Sequence, residues 1–191
     1  MEKKDVTFFE AVAPWLNELH GVAKEAISKL DTDDDWTFVI KIHALLEASL
    51  NMILIHNLGK KMTPFIVLLE TGNIENGKLA WVKQLELMPK QHMDFIRILG
   101  PLRNKLAHNP KNLEFSFSEW ITNLEDAKRK NFLKAVREIR NNPPSTRGNV
   151  AEIDKQALSN PKDAIWRCAL LIMIHVDFAV DGTERVRSQR S

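Results

Sequence analysis

Apolar residues recur at intervals of three and four along most of the chain, which is the period of an amphipathic α-helix. Glycine and proline are few, with 7 and 8 residues, and tyrosine is absent, which argues against a turn-rich all-β protein. The pattern predicts an all-α bundle of five to seven helices. The predicted helices cover about 5–30, 34–57, 78–87, 91–108, 118–140 and 161–180.

Glycine and proline positions predict where these helices begin and end. Gly59 and Asn109-Pro110 fit helix ends, since glycine favours the residue after a helix and the residue before proline disfavours the α region. Gly100-Pro101 should bend or split the segment 91–108. Asn160-Pro161 predicts the start of the last helix, and Gly182 predicts its end.

The composition excludes several classes of protein. The 191 residues are 44% hydrophobic and 27% charged, which are ordinary values for one globular domain and not for a disordered chain. Cys168 is the single cysteine, so an internal disulfide and a cysteine-rich zinc site are both excluded, and a buried thiol is expected. We find no glycine-rich phosphate loop, nucleophile elbow or zinc signature, and therefore expect no cofactor and no metal.

Two features predict a cytoplasmic protein without a membrane segment. The N-terminal sequence MEKKDVTFFEAVA is charged and lacks the apolar core of a signal peptide. The longest apolar run extends from Cys168 to Ile174, well short of the roughly 20 residues that a membrane span requires.

Charge is distributed unevenly along the chain. Residues 1–35 hold four Lys and nine Asp or Glu, a net charge of −5, whereas residues 36–191 hold 23 Lys or Arg and 16 Asp or Glu, a net charge of +7. Within the basic part, Lys130, Lys134 and Arg137 belong to a predicted basic helix and loop over 125–147. This stretch is a candidate for contacts to a phosphate backbone, and a solvated helix end is an equal alternative.

The most informative motif lies at the predicted end of the helix 91–108. Arg103 and Asn104 are followed, after three residues, by His108 in the sequence LRNKLAHNP. Asn104 and His108 are four apart and share a helix face, whereas Arg103 and His108 are about 140° apart around the axis. Arg103 and His108 therefore converge only if the arginine side chain curls back or the helix loosens at its end.

This motif resembles the signature of the HEPN superfamily, which is an arginine, a polar residue, three to five further residues and a histidine within an all-α bundle. The apolar helix before the motif, with His43 to Ala48 (HALLEA), is similar to the helix that pairs with the motif helix in that superfamily. The resemblance covers about residues 34–140. It implies a single HEPN-like domain over 1–191, with the helices at 5–30 and 161–180 as additions.

The resemblance implies a metal-independent endoribonuclease of a toxin–antitoxin or antiviral defence system. RNA would be the substrate, two copies would form a homodimer with facing motifs, and an antitoxin or regulatory protein would be a possible partner. The expected catalytic residues are Arg103, Asn104 and His108, because an imidazole can transfer protons near neutral pH and a guanidinium can stabilise charge on a phosphate. Lys105, within the motif, is a further candidate for RNA binding. A non-catalytic regulatory or partner-binding module, similar to mannitol-operon repressors, is the alternative.

A second group of polar residues lies on the apolar helix 34–57. His43, Glu47 and Asn51 follow one another at intervals of four and form one polar stripe. The functional interpretation places Glu47 or His43 beside Arg103, with Glu47 as a further catalytic candidate. The alternative is a buried polar network with internal partners, or a solvent-facing stripe.

Overall fold

The computed structural model describes residues 29–141 and 149–188, with side chains as far as Asp181. Most of the predicted helix over 5–30 lies outside the described residues. The described part contains α-helices and short 3₁₀ turns and no strand, so the predicted all-α class is confirmed. Its helices are α1 (Asp35–Leu58), α2 (Thr63–Ile66), α3 (Lys78–Gln84), α4 (Lys90–Ala107), α5 (Phe117–Asn123), α6 (Asp126–Arg140), α7 (Val150–Ser159) and α8 (Pro161–Ser188).

Helix α1 is the central element of the bundle and packs against α3, α4 and α8. It begins where the side chain of Asp34 accepts a hydrogen bond from the backbone N–H of Thr37 at 2.9 Å. It ends at Gly59, whose φ of 90° lies in the left-handed region that glycine adopts without a steric cost. Both ends agree with the predicted helix over 34–57.

The apolar length of α1 also makes it a candidate membrane-spanning helix by length and composition alone. Half of its most apolar stretch is buried inside the bundle. A central helix of a folded core can also be this long and this apolar, because it is apolar on more than one face.

The helices differ from the sequence-based predictions at several places: α3 ends at Gln84 and not at residue 87, and α7 was not predicted. Helix α4 continues without a break through Gly100-Pro101, with Pro101 exposed at its surface. The predicted helix over 118–140 is divided into α5 and α6, because Leu124 adopts an extended conformation with φ −71° and ψ 129°. Helix α8 starts at Pro161 as predicted, but it passes Gly182 and ends at Ser188.

The break between α5 and α6 is stabilised by one side chain. The guanidinium of Arg129 donates hydrogen bonds from Nη2 to the carbonyl oxygens of Thr122 and Leu124, at 3.2 and 2.8 Å. These carbonyls lack helical partners at the end of α5. Arg129 therefore stabilises a turn that the spacing of apolar residues alone does not reveal.

Candidate nucleic-acid site

The motif lies at the C-terminal end of α4. His108 is the residue after the helix, with φ −97° and ψ −1°, and its N–H donates to the carbonyl of Asn104 at 3.2 Å. Asn109 is extended, with φ −136° and ψ 108°, so the predicted helix end at Asn109-Pro110 is confirmed. A 3₁₀ turn over Pro110–Glu114 follows, and Asn112 within it donates from Nδ2 to the carbonyl of Lys105 at 2.8 Å.

The first turn of α1 fixes this helix end from the other side. The indole Nε1 of Trp36 donates a hydrogen bond to the carbonyl of Leu106 at 3.2 Å. Its neighbour Asp35 accepts from the backbone N–H of Phe117 at 2.9 Å and forms an ion pair with Lys162 at 3.7 Å. These bonds hold the ends of α1, α4, α5 and α8 together around the motif.

Arg103 lies between the interior and the exposed helix end. It is half-buried, and its Nη1 donates to the side-chain oxygen of Asn104 at 3.1 Å. Its charge also acts on His43 of α1, whose pKa is lowered first by burial and then by the Arg103 guanidinium. The arginine side chain thus reaches toward Asn104, which shares a helix face with His108.

The polar residues of the motif other than Arg103 face solvent. Asn104, Lys105 and His108 are all exposed. Within the described part of the chain, no hydrogen bond or ion pair joins Arg103 to His108. The arrangement presents a forked cation, an amide and an imidazole at one helix end, where a phosphate can approach from solvent.

Glu47 has hydrogen-bond and ion-pair partners that are not residues of the motif. Its carboxylate forms an ion pair with the ammonium group of Lys78, whose side chain is completely buried, while Glu47 is one-third exposed. Burial alone would raise the pKa of Glu47, but the hydrogen bond and charge of Lys78 and a hydrogen bond from Thr71 lower it below its ordinary value. The catalytic role of Glu47 remains a prediction, and the described contacts resemble the alternative of a buried network.

Lys78 is a residue of this network that the sequence analysis did not single out. It is the first residue of α3, and Leu79 and Val82 of the same short helix are also buried. Val82 lies four residues after Lys78 and shares its helix face, whereas Leu79 is about 100° further around the axis, so the apolar pattern of KLAWVKQ already places the lysine on the buried side of the helix. A buried charge needs a partner, and Glu47 supplies it.

The remaining members of the polar stripe are also enclosed. The side chain of His43 is buried, and the Oδ1 atom of Asn51 is buried with no hydrogen-bond partner in the described part of the chain. His43, Glu47 and Asn51 therefore face the interior of the bundle more than solvent. Of these three residues, His43 has its pKa lowered by the charge of Arg103 as well as by burial.

The predicted basic surface is divided between several environments. Lys105 lines a groove of about 720 Å³ between α4, the following 3₁₀ turn, α5 and the start of α6. Lys130 is exposed, and the exposed Lys134 lies 3.8 Å from Glu138 one turn later. Arg137 is half-buried and forms an ion pair with Asp154 of α7 at 3.4 Å. Arg137 thus has a structural partner, and its role in RNA binding remains a prediction.

Three further titratable groups, Cys168, His92 and His175, lie outside the motif. Cys168 is buried, as expected, and burial raises the pKa of its thiol to about 12, so the thiol is protonated near neutral pH. The rings of His92 and His175 are in edge-to-face contact with centroids 5.0 Å apart.

Among the residues that the structure describes, no group of three or more His, Cys, Asp or Glu side chains is arranged to hold a metal ion.

Comparisons with known proteins add no family assignment. No family model, curated protein or solved structure matches this chain. The case for a function therefore depends on the exposed helix end, the residues that it carries and the groove beside it.

Proposed function

We propose that this protein acts on RNA as a metal-independent endoribonuclease of the HEPN type, in a cytoplasmic defence or toxin–antitoxin system. One observation carries the proposal. Arg103 donates a hydrogen bond to Asn104, and Asn104 lies one helical turn before His108 at an exposed helix end. This arrangement brings the arginine head group toward the face that the histidine shares, which the motif requires if it is to act on one phosphate.

The proposed reaction uses the 2′-hydroxyl of the RNA as the nucleophile. The 2′-oxygen forms a bond to the adjacent phosphorus and loses its proton, the bond from phosphorus to the 5′-oxygen breaks, and that oxygen takes up a proton. The products carry a 2′,3′-cyclic phosphate and a 5′-hydroxyl. His108 would transfer one of these protons, and Arg103 would stabilise the charge that develops on the phosphate oxygens.

The proposal includes a homodimer in which two motifs face one another. An antitoxin or regulatory protein would then control access to the paired motifs. The homodimer and the regulatory partner are proposed from the family resemblance alone. The roles of Arg103, Asn104 and His108 are supported in addition by their exposure and contacts.

The test is cleavage of RNA by the purified protein in the presence of EDTA. We expect products that end in a cyclic phosphate, and a decrease in rate of about 10²–10⁴-fold in His108→Ala, which is the usual effect of removing a positioned proton-transfer group. His56→Ala is the matched control, because His56 also lies in the last turn of a helix. Cleavage that stops in EDTA, or that proceeds equally fast in His108→Ala, contradicts the proposal.

A non-catalytic RNA-binding or regulatory module is the second candidate. It is favoured by the lack of any direct bond between Arg103 and His108 in the part of the chain that the structure describes. Under this alternative, wild-type protein and His108→Ala bind RNA with the same affinity, and neither cleaves it.

A further inference from the structure

The groove next to the motif has the size of a small-ligand site. Its volume of about 720 Å³ falls within the range of roughly 300–1,000 Å³ that is typical of ligand pockets. One wall is a strip of α4 that includes Ile98, Pro101 and Lys105. His108 follows Lys105 by three residues and so lies near the same face of the helix. The groove therefore lies within about one helical turn of the proposed catalytic histidine, which is not itself one of its lining residues.

An aromatic wall faces the strip of α4. Phe115 and Trp120 line the groove and are half-buried, so part of each ring remains accessible. Phe117 lies behind them, in edge-to-face contact with Phe115 at 5.1 Å and with Trp120 at 6.0 Å between ring centroids. Phe132 supports Trp120 in the same way at 5.4 Å. The wall is thus fixed before any ligand binds, which lowers the entropic cost of binding a flat group.

Cations surround this wall on three different elements. Lys105 lies on α4, Lys111 on the 3₁₀ turn and Lys128 on α6. Lys128 forms an exposed ion pair with Glu125 at 3.0 Å, whereas no ion pair of Lys105 or Lys111 is seen in the described part of the chain. A phosphate is therefore expected at Lys105 and Lys111, which precede and follow His108 by three residues in the sequence.

The remaining polar groups suit the edge of a nucleobase. Asn123 and Asn131 offer both hydrogen-bond donors and acceptors, and the carboxylates of Glu114 and Glu119 offer acceptors for amino and ring N–H groups. Lys111 and Glu114 lie three residues apart on the same 3₁₀ turn, so a cation and an acceptor lie near one another on this wall of the groove. Flat rings, flanking lysines and mixed amide groups are the combination used to hold unstacked bases of single-stranded RNA.

We infer that the groove binds one nucleotide of single-stranded RNA beside the scissile phosphate, with the base against Trp120 and Phe115 and the phosphate at Lys105 and Lys111. The inference rests on the proposed function for its ligand, RNA, but not for the cleavage step. It defines the groove as the subsite that places the strand relative to His108.

The test measures binding of a fluorescent 2′-O-methyl oligoribonucleotide of mixed sequence by anisotropy, with the full-length protein. This strand cannot be cleaved through its own 2′-oxygen, so binding is read separately from cleavage. We expect the double variant Lys105→Gln/Lys111→Gln to bind about tenfold more weakly than wild type. The matched control is Lys83→Gln/Lys155→Gln, which removes two exposed lysines outside the groove and should change the affinity by less than about twofold.

Two further variants test the aromatic wall and the polar groups that line the groove. Trp120→Leu should weaken binding by at least about fivefold through loss of stacking. Because Trp120 also packs on Phe117 and Phe132, Asn131→Glu serves as a second variant at an exposed position and should weaken binding through the added carboxylate. A strand that contains 4-thiouridine should crosslink to the peptide that carries Phe115 and Trp120.

The outcomes distinguish the groove from the proposed activity. Three results would each overturn the inference. The groove variants could bind with the affinity of the control, the crosslinks could fall only on peptides outside the groove, or a free mononucleotide could bind as tightly as the strand. If the groove variants bind like the control while unmodified RNA is cut in a His108-dependent way, only the groove assignment fails. If the 2′-O-methyl strand binds through the groove and unmodified RNA is not cut, only the proposed activity fails.

Discussion

Arg103 and His43 lie on different helices, α4 and α1, and are coupled through the charge of the guanidinium. Burial of His43 and the positive charge of Arg103 both disfavour the protonated imidazole, so the pKa of His43 lies below its ordinary value. The coupling connects the buried polar stripe of α1 to the exposed motif, with Arg103 as the only motif residue that affects the pKa of His43.

Removal of the Arg103 charge should therefore raise the pKa of His43. In Arg103→Gln the pKa should rise but remain below its ordinary value, because His43 is still buried. The imidazole resonances followed by NMR over a pH titration give the measurement. Lys105→Gln is the control, since it removes the same charge from an exposed position on the same helix. Identical His43 titrations in wild type and Arg103→Gln would rule out the coupling.

The ion pair between Glu47 and Lys78 should respond unequally to loss of either partner. Glu47→Gln leaves a completely buried ammonium without a counter-ion and should lower the free energy of unfolding by about 3 kcal/mol or more. Lys78→Met should cost less, because Glu47 is one-third exposed and can be hydrated. Denaturant unfolding measures both. A larger loss in Lys78→Met than in Glu47→Gln would refute this account.

Stability should fall as the pH decreases through the weakly acidic range. Burial, together with the charge of His175, lowers the pKa of His92 from 6.5 to about 4. The unfolded chain therefore takes up a proton at His92 between pH 6.5 and about 4 while the native chain does not, so the free energy of unfolding decreases in this window. The loss from His92 amounts to roughly 3 kcal/mol at its lower end.

His92→Phe isolates this contribution. Phenylalanine retains a flat ring against His175 but cannot take up a proton, so the pH dependence of unfolding should become shallower. Urea titrations at a series of pH values give the slopes. Equal slopes for His92→Phe and wild type would show that other groups cause the acid sensitivity.

The basic face of α6 should contribute to the salt dependence of RNA binding. Replacing Lys130, Lys134 and Arg137 by Gln together should flatten the plot of log affinity against log salt by about 0.7 for each phosphate that the protein no longer neutralises. Arg137 also pairs with Asp154, so Arg137→Gln alone should lower the melting temperature, while Lys130→Gln should not. An unchanged salt slope in the triple variant would mean that this face is only solvated.

Assembly is tested by light scattering. A homodimer with facing motifs predicts twice the mass of 21.9 kDa at micromolar protein concentration. A monomer mass would remove the dimer from the proposed function without affecting the roles of the motif residues.

The helices were predictable where sequence and structure depend on the same local rules. The ends of α1 and α4 follow from Asp34, Gly59 and Asn109-Pro110, whose backbone preferences act within a few residues. The break between α5 and α6 was not predictable in this way, since it is stabilised by Arg129 reaching back over the preceding turn. The continuity of α4 across Gly100-Pro101 likewise depends on tertiary packing, which outweighs local propensity.

The residues of the candidate site could be predicted from the sequence, but their contacts with other residues could not. The spacing of Arg103, Asn104 and His108 identifies a helix end with suitable chemistry. It does not reveal that Arg103 contacts Asn104 or that Lys78 pairs with Glu47 across 31 positions. Those partners are set by side-chain packing and by distant elements, and no local pattern specifies them. The groove also requires four elements to come together, so the sequence indicated Lys105 in the motif and Lys128 in the basic stretch 125–147 but neither Lys111 nor the groove itself.

The hydrogen bond from Trp36 to the carbonyl of Leu106 spans 70 positions of the chain. Closing so long a loop carries an entropic cost that is recovered only after α1 and α4 have docked. The last turn before His108 is therefore expected to acquire its native form late in folding, with amide-exchange protection close to that of the global unfolding reaction. A nascent chain released before α4 has docked on α1 would carry the motif residues without their native arrangement.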